Sequence, residues 1–500
     1  MFKGAAYIVV GNLVSKLAGF GREVAFAGWF GTGPIAAGFR IAQTAYLLPA
    51  QALVGDSLGA GLLPLYREML ARDKDAARML VLIAAGYAAL LSALLSIGLF
   101  VFADDIVRFL VPGAGPKVWG IATELLVILS FATPAFLIGG MLSYLETSYG
   151  KFGAIAWRPL LLNIGSLAGA ALAYWTGSYH WLATAILASH LIFVTWTVLE
   201  VRRLGGLRPQ RRLARDEVVA IGGRFIRNAL SLLSLPLIVQ STLVVERIIS
   251  SHLGTSVIAS VDYARFLADT TVQLIAMPLG VMTMASHGGQ RSAAIDSHVA
   301  QVAVVAMVLA TPVAALMLAY PEQVTRAIFA RGAFDEHSVQ VTAALVRYMG
   351  GAVFVSVTGY YLIKALNAQL RNREALIVMA AASLSSIAVN TLLWRVLGVA
   401  TMGVAVASYS LVSFAGAVWR LGLWRELRLP IGALAACLLL NLAVAGLVRQ
   451  LHGSLAQLVV GIVATALICG AVTLGVPRLR VTFWGPMIHN VQQRLARRRA

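Results

Sequence analysis

The chain has 500 residues, of which 59% are hydrophobic and only 12% are charged, and its mean hydropathy is +0.81. A soluble domain carries about 25% charged residues, so this composition excludes an ordinary soluble domain and indicates a membrane protein. The 40 Lys and Arg residues outnumber the 21 Asp and Glu residues. In so apolar a chain this excess is typical of basic cytoplasmic loops, and we expect no nucleic-acid partner.

Apolar stretches follow one another along almost the whole chain. A helical span needs about 20 apolar residues, and the sequence predicts about fourteen such spans. In chain order they cover residues 2–28, 35–65, 79–102, 119–146, 153–176, 181–201, 218–250, 258–286, 298–319, 338–366, 374–397, 401–424, 430–449 and 454–476. The predicted fold is therefore an all-α polytopic membrane protein.

The connections between the predicted spans alternate in charge, which predicts the side of the membrane on which each lies. The basic segments are 66–78, 202–217, 367–373, 420–428 and 477–500. The segments without Lys or Arg are 29–34, 177–180, 251–257 and 398–400. Two further connections on this second side, 103–118 and 320–337, mix basic and acidic residues. This pattern predicts that both termini are cytoplasmic.

The basic connection 202–217 separates six predicted spans from eight and is the predicted internal boundary. We expect an N-terminal six-helix lobe at 1–201 and a second six-helix lobe at 218–428. A C-terminal helix pair at 429–476 and a basic cytoplasmic tail at 477–500 complete the predicted organisation. Related bundles around a central site are a common plan among transporters.

Ionisable residues inside the predicted spans are the candidate functional residues, because a charge in the bilayer is costly and usually functional. Lys16, Arg22 and Glu23 lie in the first span, Arg40 in the second and Arg265 in the eighth. Arginine presents a fork of donors that suits phosphate oxygens, so this set predicts a site for an anionic ligand. The competing interpretation is that Lys16 extends to the interface and that Arg22 only pairs with Glu23.

Glu246 in the predicted seventh span is a candidate of another kind. Its carboxylate could bind a coupling cation, Na+ or H+, with Asn390 of the eleventh span as a further oxygen ligand. The alternative is that Glu246 pairs with Arg247 or Arg265. The sequence contains no recognisable metal-ligand cluster, catalytic nucleophile or phosphate-binding glycine loop. We therefore expect no metal, no other cofactor and no enzymatic reaction.

Three short motifs resemble the MurJ/MviN lipid II flippase family of the multidrug/oligosaccharidyl-lipid/polysaccharide exporter superfamily. Residues 15–23, SKLAGFGRE, resemble the S-R-x-x-G-F-x-R-D opening of that family. The FGTG turn at 30–33 is similar to its F-G-A-G turn, and the FARGAF segment at 329–334 is similar to its F-x-R-G-A-F motif. The resemblance extends from about residue 3 to residue 430.

The resemblance implies fourteen spans, two six-helix lobes around a central cavity, and alternating access. We expect the membrane potential or a cation gradient to drive resetting. The implied substrate is an undecaprenyl-pyrophosphate-linked saccharide, such as lipid II, which moves outward across the bacterial inner membrane. Lys16 and Arg22 would contact the pyrophosphate, and Glu23 would be their acidic neighbour. Proteins of envelope glycan synthesis are the implied partners.

The second span departs from the pattern of this family. Aligned without gaps, Ala37 replaces a usual Asp, Ala50 and Gln51 replace a usual Arg pair, and residues 55–56 read Gly-Asp instead of Glu-Gly. Arg40 is an additional cation, and the hypothesis is that it substitutes in part for the missing pair. These differences leave open a dedicated exopolysaccharide or O-antigen repeat-unit flippase.

Three other functions are alternatives to that of a flippase. A cation-coupled multidrug exporter would favour an acidic and aromatic cavity, and the cations of the first two spans argue against it. A glycosyltransferase would need paired carboxylates and usually a large extramembrane domain. A scaffold without transport activity is the third alternative, and only complementation separates it from a transporter.

Overall fold

The computed structural model describes residues 2–54, 56–204, 214–232, 234–287 and 293–485. Over these ranges the chain is almost entirely helical, and none of these residues lies in a β-strand. The prediction of an all-α fold is confirmed.

The helices are described in chain order. They are α1 (Phe2–Phe30), α2 (Pro34–Val54), α3 (Asp56–Arg72), α4 (Lys74–Val101), α5 (Ala103–Leu110), α6 (Pro116–Ser130), α7 (Ala132–Ser148), α8 (Gly153–Thr176), α9 (His180–Arg203), α10 (Arg215–Leu232), α11 (Ser234–Leu253), α12 (Thr255–His287), α13 (Ala293–Ala319), α14 (Pro321–Phe329), α15 (Glu336–Ala368), α16 (Asn372–Leu397), α17 (Ala400–Leu421), α18 (Trp424–Val448) and α19 (Ser454–Gly475). Short helical turns at Pro477–Leu479 and Arg480–Trp484 follow α19.

Each predicted span coincides with one helix or with two consecutive helices. Within the described ranges, nine helices are long and apolar enough to cross a membrane, namely α4, α8, α9, α13 and α15 to α19. The pair α6 and α7, bent by 48°, adds a tenth span if it crosses as one. The protein is therefore a multi-pass membrane protein, and the count of fourteen spans stays a prediction.

The fourth predicted span is bent by 48° between α6 and α7, where Pro134 is the third residue of α7. Proline is tolerated there because the first amides of a helix have no intrahelical acceptor.

The helices pack into two compact units. Unit 1 comprises Met1–Ala259 with Arg331–Phe334, and unit 2 comprises Ser260–Ala330 with Asp335–Ala500. In unit 1, α8 packs on α1 and α9, α2 packs on α6, and α10 packs on α3 and α4. In unit 2, α15 packs on α13 and α17, and α18 packs on α13 and α19.

The predicted domain boundaries stay predictions. The boundary at 202–217 falls within the chain segment of unit 1, and residues 205–213 of that connection lie outside the described residues. Most of the predicted tail at 477–500 also lies outside them, since the description ends at residue 485.

The C-terminal helices α18 and α19 are held together by a polar contact in an apolar surrounding. Thr465 donates a hydrogen bond to Asn441 at 2.7 Å, and both side chains are buried. Cys437 and Cys469 are buried free cysteines whose Sγ atoms lie 3.3 Å apart. Their placement is that of small core residues.

The two connections that mix basic and acidic residues pair their own charges. Arg326 of α14 donates hydrogen bonds to Glu336 at 2.6 and 2.8 Å and to Glu322 at 3.1 Å. The hydrogen bond to Glu336 is the largest cause of the raised pKa of the Arg326 guanidinium. In the other connection, Arg108 pairs with Asp104 at 2.6 Å. On the predicted side, this pairing would accommodate basic residues where the other connections have none, and the sidedness stays a prediction.

Residues 28–31, which lead into the FGTG turn, lie against Arg331–Phe334 of the FARGAF segment, about 300 residues away in sequence, and both belong to unit 1. The amide of Ala333 donates a hydrogen bond to the carbonyl of Gly28 at 2.7 Å. Gly31 and Gly332 have φ angles of +56° and +59°, which favour glycine. A Cβ atom on either of them would collide with a backbone carbonyl of the other segment. The contact therefore requires glycine at both positions.

Candidate functional site: a buried cluster of cations on α1, α2 and α8

One carboxylate on α1 holds two guanidinium groups. Glu23 accepts hydrogen bonds from Nη2 of Arg22, its neighbour in sequence, and from Nη2 of Arg40 on α2. Nη1 of Arg40 also donates to Glu23 Oε1 at 3.3 Å. The exposed fractions of these side chains are 3% for Glu23, 10% for Arg40 and 23% for Arg22. We call these residues the Arg22–Glu23–Arg40 triad, and its two cations and one anion leave one positive charge in excess.

Arg40 is the inner cation of the triad. Its guanidinium stacks on the ring of Phe26, with 5.0 Å from Cζ to the ring centroid. Phe26 follows Glu23 by three residues on α1, so both partners of Arg40 lie on one face of that helix. Removing one member of a buried ion pair costs about 3–5 kcal/mol. The geometry favours Arg40 as the residue that fixes Glu23, and its predicted contact with the ligand stays a prediction.

Arg22 is the outer cation of the triad, and α8 fixes its orientation. Nη1 of Arg22 donates to Asn163 Oδ1 at 2.9 Å. The amide nitrogen of Asn163 donates to the carbonyl and hydroxyl oxygens of Ser15 at 2.9 and 3.2 Å. A Cβ atom on Gly19 would lie 3.2 Å from this amide nitrogen, so glycine permits the close approach of α1 and α8.

Sequence reasoning missed Asn163. The signal that could have found it is a polar amide in the middle of an otherwise apolar span, since such a group needs a partner in the bilayer.

The other predicted ligand contacts are placed separately. Lys16 lies on α1 in unit 1 and is partly exposed. Arg265 is also partly exposed, but it belongs to α12 in unit 2. The structure thus brings Arg22, Glu23 and Arg40 together, and the roles of Lys16 and Arg265 stay predictions.

The two residues of the predicted coupling site belong to different units. Glu246 lies on α11 in unit 1 with an exposed fraction of 2%, and Asn390 lies on α16 in unit 2 and is fully buried. Arg247, beside Glu246, donates hydrogen bonds to Thr44 at 3.0 Å and to the carbonyl of Ile258 at 3.1 Å. Cation coupling through Glu246 and Asn390 stays a prediction.

Arg158 on α8 is a further intramembrane cation that the sequence analysis did not single out. Its guanidinium lies 4.6 Å from the ring centroid of Phe136 and 5.2 Å from that of Phe193. Beside these rings, the Tyr46 hydroxyl and His190 Nε2 are hydrogen-bonded at 2.8 Å. Among the residues that the structure describes, no carboxylate pairs with Arg158. A desolvated cation–π contact contributes about 2 kcal/mol. Removing an ion from water costs several kcal/mol, so one such contact does not offset the cost of placing Arg158 there.

None of these clusters resembles a metal centre. Over the described ranges, no three side chains of His, Cys, Asp or Glu are grouped as ligands of a metal ion. What the triad offers chemically is a fixed positive charge with hydrogen-bond donors, which suits binding of an anion.

A multi-pass helical fold with buried cations is typical of membrane transporters, and known structures share this fold. A solved lipid II flippase MurJ in an inward closed conformation has a TM-score of 0.80 and 15% identity, covering 93% of this chain and 98% of that chain. An inward-facing multidrug resistance transporter of the MATE family, from the MOP superfamily, has a TM-score of 0.67 and 15% identity, covering 84% and 95%. At these identities the likeness concerns the fold alone.

The chain belongs to the lipid II flippase MurJ family, whose model matches residues 26–480. A probable lipid II flippase MurJ from Rhizobium meliloti (strain 1021) is 26% identical over 460 residues, covering 83% of this chain and 79% of the relative. A lipid II flippase MurJ from Burkholderia cenocepacia is 24% identical over 253 residues, covering 48% and 46%. The resemblance stated from the motifs is confirmed, although the family match begins after residues 15–23.

Proposed function

We propose that this protein is a flippase of the bacterial inner membrane. It moves a polyprenyl-diphosphate-linked saccharide from the cytoplasmic to the outer leaflet by alternating access, without making or breaking a covalent bond. Membership of the lipid II flippase MurJ family supports the lipid-linked glycan as substrate. The alternation of basic connections supports cytoplasmic termini.

The observation that carries the proposal is the excess positive charge of the Arg22–Glu23–Arg40 triad. Arg22 has five N–H donors, and among the described residues its hydrogen bonds go to Asn163 and Glu23. The remaining donors are available to phosphate oxygens, and the side chain is 23% exposed. Arg22 is therefore the residue proposed to hold the diphosphate, with Glu23, Arg40 and Asn163 fixing its position.

The energy for resetting the transporter comes, in this proposal, from the membrane potential or from a coupling cation. Moving one charge across 100 mV changes the free energy by about 2.3 kcal/mol, which is enough to bias an equilibrium between two access states. A cation bound at Glu246 or Asn390 would act only if it bound one access state more tightly than the other.

A dedicated repeat-unit flippase for an exopolysaccharide or O-antigen is the second candidate. It is favoured by the replacement of the usual Arg pair of the second span by Ala50 and Gln51. Both candidates share the diphosphate and differ only in the sugar. A multidrug exporter of cationic compounds is disfavoured by the net positive charge of the triad.

Depletion of the protein in its native host tests the function. Lipid-linked saccharide should accumulate in the cytoplasmic leaflet, and the identity of its sugar distinguishes lipid II from a repeat unit. Wild type and Arg395→Ala, an exposed arginine on α16, should restore transport, whereas Arg22→Ala should not. If no lipid-linked intermediate accumulates, the proposed function is wrong.

A further inference from the structure

Arg158 is held inside the helical bundle instead of reaching toward the membrane surface. At 1.5 Å per residue, its Cα lies roughly 7.5 Å from the start of α8. Phe193 lies roughly 15 Å from the end of α9, and Phe136 lies roughly 18 Å from the end of α7, at the same side of the membrane. Side chains on α8 incline toward its N-terminus, so a snorkelling arginine would extend to the nearer surface. Its guanidinium instead lies over the two deeper rings.

The contacts of Arg158 leave its hydrogen-bonding edge unused. The two phenylalanine rings approach the planar guanidinium within 4.6 and 5.2 Å of their centroids. An aromatic ring attracts the charge of the guanidinium, but it does not accept hydrogen bonds from its N–H groups as an oxygen atom does. In the described part of the chain, no side-chain carboxylate accepts from Arg158, and the nearby polar groups are the hydroxyls of Tyr46 and Tyr144. A cation with a free donor fork suits an oxyanion.

A buried histidine adjoins the same ring cluster. His190 has an exposed fraction of 2%, and its Nε2 is occupied by the Tyr46 hydroxyl. Its Nδ1 has no hydrogen-bond partner among the described residues. Buried polar atoms are nearly always hydrogen-bonded. His190 and Arg158 both contact Phe136, and neither His190 Nδ1 nor the Arg158 charge has a partner of this kind among the described residues, which indicates a missing ligand.

We propose that Arg158, held between Phe136 and Phe193, is a second phosphate-binding position in unit 1, separate from the Arg22–Glu23–Arg40 triad. Arg158 and Asn163 are five residues apart, which places them roughly 140° apart around α8. The face with Asn163 meets α1, and the face with Arg158 meets α7 and α9. The phosphate belongs either to a diphosphate-linked lipid or to an anionic phospholipid headgroup. The inference does not depend on the proposed function, because either source satisfies the same cation.

Binding to the purified full-length protein tests the proposal without a transport assay. Native mass spectrometry measures the affinity for inorganic pyrophosphate and for phosphatidylglycerol, with phosphatidylcholine as the zwitterionic comparison. Arg158→Met removes the charge and keeps an apolar side chain of similar length. The matched control is Arg395→Met, since Arg395 also stacks on an aromatic ring, 5.2 Å from Trp394, but is exposed.

Arg158→Met should lower the affinity for one probe about 10- to 150-fold, the usual effect of losing a charged hydrogen bond. Arg395→Met should retain wild-type affinity for both. Loss of pyrophosphate binding identifies a diphosphate-linked ligand, and loss of phosphatidylglycerol binding identifies a phospholipid. The effect should persist in an Arg22→Ala background, because the two positions are separate. Unchanged affinity for both probes overturns the proposal.

Thermal unfolding without ligand separates this role from a structural one. Arg158 is partly buried. Replacing buried ionic groups with apolar side chains is often neutral or stabilising, so Arg158→Met should melt at or above the wild-type temperature. A lower melting temperature together with unchanged binding would show that Arg158 only supports the fold. If Arg158→Met is not recovered as folded protein, Arg158→Gln should show the same loss of affinity, and wild-type affinity in that variant overturns the proposal.

Discussion

The two arginines that share Glu23 leave different groups behind when they are removed. In Arg22→Ala, Glu23 keeps both hydrogen bonds from Arg40, and Asn163 keeps its bonds to Ser15. The unfolding free energy should therefore fall by about 1.5–3 kcal/mol, the usual contribution of a hydrogen bond to a charged group. In Arg40→Ala, a carboxylate that is 3% exposed keeps only Arg22. Breaking such a buried pair costs about 3–5 kcal/mol.

Arg22→Ala should abolish transport although it destabilises the fold less than Arg40→Ala does. Loss of a charged hydrogen bond to phosphate costs about 1.5–3 kcal/mol, or about 10- to 150-fold in affinity. Arg22→Ala should thus be folded, present in the membrane and inactive. Arg22→Lys should also be impaired, because an ammonium group cannot reproduce the fork that joins Asn163, Glu23 and the ligand.

Two measurements on the same purified variants check this reasoning. Thermal unfolding in detergent ranks the stabilities of wild type, Arg22→Ala and Arg40→Ala, and reconstituted vesicles report the flipping of a labelled lipid-linked saccharide. Arg395→Ala serves as the control for loss of an exposed arginine. Normal flipping by Arg22→Ala would refute its role in binding. Equal destabilisation by Arg22→Ala and Arg40→Ala would refute the assignment of Arg40 as the inner cation.

Three further outcomes are expected. An impermeant thiol reagent applied to intact cells with a permeabilised outer membrane should modify a cysteine at Lys117 and not one at Arg202, both of which are exposed positions. The reverse result contradicts the predicted topology. The native cysteines are buried and should keep the background labelling low. Glu246→Gln should alter the dependence of transport on sodium, proton gradient or membrane potential, and wild-type dependence rules out coupling through Glu246. Gly332→Ala should destabilise unit 1 more than Gly150→Ala does. Both glycines have a positive φ, but only Gly332 faces a backbone carbonyl, that of Gly28. Equal melting temperatures would show that the contact between Gly332 and Gly28 contributes nothing to stability.

The sequence by itself determined the helical architecture to within a few residues. Hydrophobic length predicts spans because the bilayer requires about 20 apolar residues per crossing. The predicted span 153–176 coincides with α8 (Gly153–Thr176), and 374–397 differs from α16 (Asn372–Leu397) by two residues at one end. It also identified the family, because three short motifs carry a pattern that overall identity of 26% would barely reveal.

Hydrophobicity could not determine where a span bends. The stretch 119–146 appears continuous in composition, yet α6 and α7 meet at a bend of 48°. Composition reports how apolar a segment is but not how its neighbours bend it, so such a bend depends on packing.

The tertiary structure alone decided which charges meet. The sequence placed Arg22 beside Glu23, but only packing of α2 on α1 brings Arg40 to the same carboxylate. The partnership of Asn163 with Arg22 spans 141 residues. No local pattern specifies such contacts, because they depend on which helix faces oppose each other once the bundle has formed. For the same reason the isolation of Arg158 between two rings is visible only in the folded protein.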